Sequence, residues 1–302
     1  MNDPSPTILV IGASGRTGWR ICRGLLDRGV PVRGLTHSDD GAGRLSALGV
    51  RDVVRADLLD PATLPPAFEG VDHVMLVTRS IGDPTPEINA VGAAVGAGVR
   101  RVVKLSSDIL YRTWDDVDEH ERAQPPNPVA ALHGPSEDHI RASGVEHVLL
   151  RSTWFAGIDE NPLFGPGINA GGLVWPLGSS GLALVHPDDV AETAVHHLLV
   201  PEVQEPTLRL TGPREIGAEE IAAGFGALRG SPVEVRPVSF DAYGAWLEAV
   251  AGMPRSAARI IEPYAEPPRV PLSDAIERAL GRPARTFADY LNEQGGHVPP
   301  RS

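Results

Sequence analysis

The sequence predicts an α/β fold: a Rossmann-type, doubly wound parallel sheet with a smaller, mainly helical C-terminal lobe. Three observations carry that expectation. In TILVIGASGRTGWRICRGLLDR, residues 7–28, an apolar run ends in a glycine turn and passes straight into a helical pattern. Behind it, strand-like apolar runs alternate with helical patterns as far as Leu150, the spacing of parallel strands joined by crossover helices. Beyond residue 155 the chain becomes rich in glycine and proline, and then mainly helical in pattern. Residues 1–155 are accordingly expected to form the Rossmann unit, with 183–212 returning to it, and 156–302 the smaller lobe.

In the first element, Ile8, Leu9, Val10 and Ile11 read as a strand. Gly12 suits a tight turn, Gly15 the approach of backbone to a pyrophosphate, and Gly18 the close packing of helix on strand. The free N–H groups and positive dipole end of the helix that follows favour phosphate. The second strand, Val30 to Leu35, ends in Thr36, His37 and Ser38, with Asp39 and Asp40 after them. An acidic residue at the strand end itself would grip a ribose 2′-hydroxyl. Two hydroxyls and an imidazole, with Arg33 and Arg44 as nearby charge, favour NADP over NAD instead.

Further strands are expected at Val50–Ala56, Val71–Val77, Val99–Leu105 and Glu146–Leu150, with a small-residue helix at Ile88–Gly98. Ligands of such sheets sit outside the carboxyl ends of the strands, so Gly12, Thr36, Asp57, Thr78 and Ser106 should share one rim. Residues 108–128, polar and proline-rich, read as a mobile loop over that rim, and 129–143 as a helix that is either kinked at Gly134-Pro135 or starts later there. Asn161 to Gly181 reads as a loop-built wall. Pro187-Asp188-Asp189 caps a helix carrying Val190, Ala194, His197 and Leu198 on one face, and Thr207–Leu210 is a short strand. Helices are expected over 218–228, 241–251, 272–280 and 287–293.

Composition narrows the function classes. A net charge of −12 argues against nucleic acid and anionic membranes as partners. No apolar run approaches the roughly 20 residues of a membrane span, and MNDPSPT has no signal-peptide pattern, so a cytoplasmic protein is expected. One cysteine, Cys22, rules out a disulfide framework and a thiol metal cluster. No H-E-x-x-H or G-x-S-x-G motif occurs, so neither a metal site nor an acyl-transfer nucleophile is assigned.

Seven stretches, in order, carry a resemblance: ILVIGASGRTG, ADLLDPATLPPAFEGVDHVMLVT, GVRRVVKLSS, SEDHIRASGVEHVLLRSTWFAGI, HPDDVAETAVHHLL, LRLTGP and GRPARTFADYL. Over nearly its whole length the chain resembles the NmrA-like branch of the atypical short-chain dehydrogenase/reductase superfamily. GASGRTG with LRSTWF looks most like the group containing festuclavine dehydrogenase-type ergot alkaloid reductases. The resemblance implies an NAD(P)-binding Rossmann domain and a small organic substrate, plausible in secondary metabolism. On matching positions it implies that Gly12, Ser14, Gly15, Arg16, Thr17 and Gly18 hold the pyrophosphate and that His37 and Ser38 meet the adenosine ribose. Asp57 and Leu58 would flank adenine, while Val77, Thr78 and Ser106 would lie near the nicotinamide ribose. His37 stands where NADP-binding members commonly carry arginine.

The superfamily's usual proton donor is a tyrosine with a lysine four residues on; the corresponding helix here offers His133 and Glu137. His133 can supply a proton near neutral pH, with Glu137 one turn away to orient it. Tyr111 is a second candidate donor. An iminium or quinone-like acceptor would need less of a proton donor and more of an aligned, dry pocket, for which Tyr111, Trp154, Phe155, Phe164 and Trp175 are the candidate walls. The leading expectation is an NAD(P)H-dependent reductase of a small apolar carbonyl, enone, quinone or iminium, monomeric or homodimeric. A non-catalytic NAD(P) sensor, and an isomerase or cyclase using His133 or Tyr111 as acid/base, stay open beside it.

Overall fold

Ile8, Leu9, Val10 and Ile11 are each at most 1 % exposed, and this burial on both faces explains why the run does not alternate with polar residues. In the computed structural model, which describes residues 6–78, 82–125, 127–265 and 271–295, they form strand β1 (Ile8–Ile11) at the centre of a parallel sheet. The chain continues through β2 (Val32–Thr36), β3 (Asp52–Arg55), β4 (His73–Leu76), β5 (Arg101–Ser107) and β6 (Glu146–Ser152). It then passes β7 (Gly172–Trp175), β8 (Thr207–Leu210) and β9 (Glu234–Pro237). Among the described residues, seven strands make the main sheet in the order β3-β2-β1-β4-β5-β6-β8, every pair parallel. The order reverses between β1 and β4. The register pairs Ile11 with both Leu35 and Leu76, so the carboxyl ends of β2, β1 and β4 open a crevice at that switch point.

The helices are α1 (Arg16–Leu26), α2 (Asp39–Leu48), α3 (Pro65–Phe68), α4 (Thr85–Gly96), α5 (Leu110–Thr113), α6 (Glu119–Ala123) and α7 (Pro128–Ser143). After them come α8 (Gly165–Asn169), α9 (Pro187–Leu199), α10 (Ala218–Arg229), α11 (Phe240–Trp246), α12 (Ala275–Leu280) and α13 (Phe287–Gly295). One sheet face buries Ile8, Val10, Met75 and Val103 under α1, α9 and α12; the other buries Leu9, Ile11, Val74 and Val102 under α3, α4 and α7. Cys22 packs in the first of these layers, where burial pushes its thiol up to about 12 and leaves it inert. No described helix is long and apolar enough to cross a membrane.

Several elements differ from the sequence expectation. Residues 108–128, expected as a mobile loop, hold α5 and α6, and Ile109, Leu110 and Trp114 are buried. Trp114 lies against Gly134 of α7, where an added Cβ would sit 2.2 Å from the indole. Gly134 therefore serves ring contact inside one continuous helix, and α7 is a single element despite Pro135. Replacing Gly134 by Ala should lower unfolding free energy by about 1–3 kcal/mol through overpacking, although Ala is the better helix former. Urea denaturation would measure it.

The Asn161–Gly181 wall is core: α8, β7, β9, α10, α11 and α13 enclose Phe164, Trp175, Phe225 and Tyr243. Strand β9, which pairs with β7, has no counterpart among the strands the sequence predicts, because Glu234 and Arg236 face solvent on an edge. Ala275 and Ile276, placed by sequence in the smaller lobe, pack in the Rossmann layer instead.

Candidate active site

The glycine loop is built on contacts that admit no side chain. Gly12 has φ +74°, and a Cβ there would meet the Val77 carbonyl oxygen at 2.1 Å; one on Gly18 would meet the Gly12 oxygen at 2.2 Å. These two glycines bring the end of β1 against the end of β4 and α1 against the turn. Gly15 is the N-cap of α1 and supplies no side-chain cap, so the first-turn N–H groups of that helix face the crevice without a side-chain partner. Such an uncapped, close-packed helix start fits a dinucleotide pyrophosphate. Ser14 is half-buried beside it, whereas Arg16 is exposed and ion-paired with Glu160.

At the neighbouring corner three hydroxyls converge. The oxygens of Thr36, Ser14 and Ser38 lie 2.2, 3.0 and 3.0 Å from where a Cβ of Gly41 would stand. Ser38 caps α2 by accepting from the Gly41 N–H at 3.1 Å, and Thr36 Oγ1 accepts from the Ser38 N–H. His37 is exposed. Neither arginine expected here contributes. Arg33 turns to the opposite end, bonding Asp52 at 2.7 Å and the Glu69 carbonyl at 2.7 Å, and Arg44 pairs with Asp40. The cation at the corner is Arg55, registered opposite Thr36 and paired with Asp39. Its place at the end of β3 was the overlooked signal. Asp57 accepts from the Leu59 N–H, and the Leu58 carbonyl is held by Asn89 Nδ2 at 2.8 Å, so this loop is pinned to α4.

Under the ends of β4, β5 and β6 lie two buried charge networks. In the first, Lys104 and Glu87 are both fully buried; Lys104 Nζ donates to Glu87 at 2.8 Å, to the Leu105 carbonyl at 3.2 Å, and stands 2.9 Å from His133 Nδ1. Thr78 Oγ1 donates to Glu87 Oε1 at 2.6 Å. In the second, Glu137 accepts from Ser106 Oγ at 2.5 Å, from Arg151 Nη2 at 2.6 Å and from Arg141 Nη2 at 2.7 Å, and Arg151 is also paired with Asp115. The structure thus does not bring Glu137 to His133. Each is engaged by a different partner, because facing strands decide what a helix side chain meets. His133 is half-buried, and the ring nitrogen with a hydrogen-bond partner among the described residues is Nδ1. Burial, then the Lys104 charge, holds its imidazole down to about 3, so at neutral pH it is uncharged.

The aromatic residues divide. Tyr111 is half-buried with the Arg151 guanidinium 4.6 Å and the Arg209 guanidinium 5.7 Å from its ring centre, and burial raises its phenol above the ordinary value. Trp154 stands edge-on to Phe164 at 5.5 Å and to Tyr264 at 5.8 Å, and is partly exposed. Phe155 bridges to Val185 beneath it. Phe164 and Trp175, expected as pocket wall, are 1 % exposed each and belong to the lobe core; Trp175 Nε1 donates to the Gly178 carbonyl. Tyr264, which sequence reasoning passed over, donates to the fully buried Asp108 at 2.6 Å. Elsewhere, His186, Asp188 and Glu293 lie close together, but His186 Nδ1 accepts the Asp188 N–H as the cap of α9, the work of a brace.

Residues 12–199 match the family described as NAD(P)H-binding. An NAD(P)H azoreductase from Xenophilus azovorans is 30% identical over 291 residues, covering 94% of this chain and 96% of that one. The (4-alkanoyl-5-oxo-2,5-dihydrofuran-3-yl)methyl phosphate reductase of Streptomyces griseus is 32% identical over 292 residues, covering 95% and 97%. In fold, the NADPH complex of an Escherichia coli NADPH-dependent quinone oxidoreductase superposes with a TM-score of 0.78 at 22% identity, over 95% of this chain and 99% of that one.

Proposed function

The chain belongs to the NAD(P)H-binding family and is an NAD(P)H-dependent oxidoreductase of the NmrA-like, atypical short-chain dehydrogenase/reductase class; from that premise we propose that it reduces a small, flat, electron-poor acceptor bearing a conjugated oxygen, a quinone or enone, with His133 as hydrogen-bond and proton donor. The observation that carries this reading is His133 itself. It is a neutral, half-buried imidazole on α7 with Nδ1 engaged by Lys104 of β5.

The first turn of α1 with Gly12, Gly15 and Gly18 would hold the cofactor's pyrophosphate. Ser14, Thr36, Ser38 and Arg55 would take a ribose 2′-phosphate, which favours NADPH. Val77, Thr78 and Ser106 would border the nicotinamide end. When bound, NADPH supplies the hydride. The chain's own share is then to orient the acceptor between Trp154, Tyr264 and Tyr111, to exclude water, and to place a donor at the oxygen that becomes negative. A buried imidazole that stays neutral donates without bringing a full charge into that pocket. The likeness to festuclavine dehydrogenase-type reductases enters through acceptor class alone, since an iminium would ask less of His133.

Titration with NADPH and NADH, read by cofactor fluorescence and thermal shift, tests the cofactor half; stabilisation by NADPH at lower concentration than by NADH is expected. A screen of quinones and enones tests the rest. His133→Gln should lower kcat about 100-fold, the scale of general acid catalysis, and the wild-type rate should show no imidazole titration between pH 5 and 8. Binding of neither nucleotide would overturn the reading. Binding without turnover would favour a sensor, and turnover without nucleotide an isomerase or cyclase.

A further inference from the structure

We infer that Lys104, the chain's single lysine, is a positioning residue that fixes His133 as the tautomer with hydrogen on Nε2 and stands behind it as the source of the next proton. The inference rests on the proposed role of His133 and goes beyond it to a residue of the fifth strand.

The argument is one of donor and acceptor inventory. A lysine ammonium has three N–H donors and no acceptor. Here its partners are the Glu87 carboxylate at 2.8 Å, the Leu105 carbonyl at 3.2 Å and His133 Nδ1 at 2.9 Å. The first two accept only. Nδ1 must accept as well, which leaves the ring hydrogen on Nε2. An imidazolium would present a second N–H to the ammonium at that short distance and is excluded. Glu87 holds the lysine in place: its two oxygens both lie 2.8 Å from Nζ, and Thr78 Oγ1 donates to it from the end of β4. Among the described residues, the charged groups facing His133 are Lys104 from β5, Glu87 from α4 and Arg151 from β6. A lysine this deep, held by a carboxylate and spent on one imidazole nitrogen, has no packing reason to be an amine.

The proton bookkeeping closes. Bound NADPH would supply the hydride to the acceptor carbon, and the electron pair of the conjugated system would move onto the acceptor oxygen. His133 Nε2–H breaks as the O–H bond forms, and Nδ1 takes a proton from Lys104 Nζ. His133 is then neutral with hydrogen on Nδ1, and Lys104 is an amine beside the Glu87 carboxylate. Once the product has left, solvent protonates Nε2 and Nδ1 hands its proton back to Lys104 Nζ, restoring the first arrangement.

The test is nitrogen-15 NMR of the histidine rings in the nucleotide-free protein, with the His133 resonances identified by their loss in His133→Gln. Between pH 5 and 8 the expected pattern is a protonated Nε2 and a bare Nδ1 that do not titrate. A protonated Nδ1, an even mixture, or an imidazolium at pH 6 overturns the inference. Lys104→Met supplies the second reading: His133 should begin to titrate between pH 5 and 7 and kcat should fall about 100-fold with KM nearly unchanged. A lysine that only braces the sheet would cost stability and leave tautomer and pH profile alone. Should Lys104→Met fail to fold, the wild-type spectrum alone decides. Because that spectrum needs neither cofactor nor acceptor, a failed acceptor screen and a failed tautomer assignment are separate results.

Discussion

Gly12→Ala should abolish measurable NADPH binding, raising Kd at least about 100-fold, and should also destabilise the fold by about 3 kcal/mol, the sum of a left-handed backbone penalty and an overpacking one. At φ +74° the new methyl is strained before it touches anything, and it must then stand 2.1 Å from the Val77 oxygen. Relief requires β1 and β4 to part at the switch point or the turn to swing outward. Either motion carries Gly15 and the start of α1 with it, because the Gly15 N–H donates to the Gly12 carbonyl at 3.0 Å. Phosphate binding depends on several N–H groups aimed at one point, so a small shift spoils all of them together. Gly92→Ala is the control. Gly92 lies inside α4 with nothing within 4 Å of the new Cβ, and there the same change should raise stability by about 0.5–1 kcal/mol. Cofactor fluorescence titration and urea unfolding of both variants would separate a local defect from a general one. Retained NADPH affinity in Gly12→Ala would sink the assignment of this loop.

The glycine turn was legible because most of its chemistry is local: three small residues at fixed spacing, with Gly15 and Gly18 approaching Gly12 inside one strand-turn-helix unit, while the contact of Gly12 with Val77 is long-range. The strand runs were legible for a similar reason, since burial on both faces writes itself as an unbroken apolar stretch. Periodicity tells that a side chain is buried and says little about what it meets. His133 and Glu137 share a helix face, which made them look like partners, yet β5 offers Lys104 to one and β6 offers Arg151 to the other. Phe164 and Trp175 looked like isolated aromatics in a loop, and a lobe core assembled from α8, β7 and α10 encloses them. Gly134 looked like a helix breaker until Trp114, 20 positions earlier, came to lie on it. Arg55 and not Arg33 stands beside Thr36, because strand register decides which end of the sheet each residue reaches. Long-range pairing is where the sequence reading ran out.

Arg151→Met should destabilise the protein by about 3–5 kcal/mol, the cost of stranding a buried charge. Arg151 is 1 % exposed, and its guanidinium holds Glu137, which is fully buried, on one side and Asp115 on the other. Methionine matches the stem in shape but returns nothing to either carboxylate. Asp115 is partly exposed and can turn to water, whereas Glu137 is left with Ser106 Oγ and the half-exposed Arg141. The loss is therefore assigned mainly to Glu137, and adding Glu137→Gln to Arg151→Met should recover at least half of it. Glu137→Gln alone should also destabilise, since Arg151 then keeps only Asp115 as its anionic partner, so the two changes should be strongly non-additive. Urea unfolding of the four proteins gives the coupling. The effect should reach the site as well: the Tyr111 ring lies against the Arg151 guanidinium, and Ser106 is oriented by Glu137. The double variant, refolded but with Tyr111 unsupported, should bind NADPH nearly as the wild type does and show a raised KM for the acceptor. Additive single effects would mean that Arg151 and Glu137 stabilise the fold through separate partners, and the buried network would have to be redrawn around Asp115.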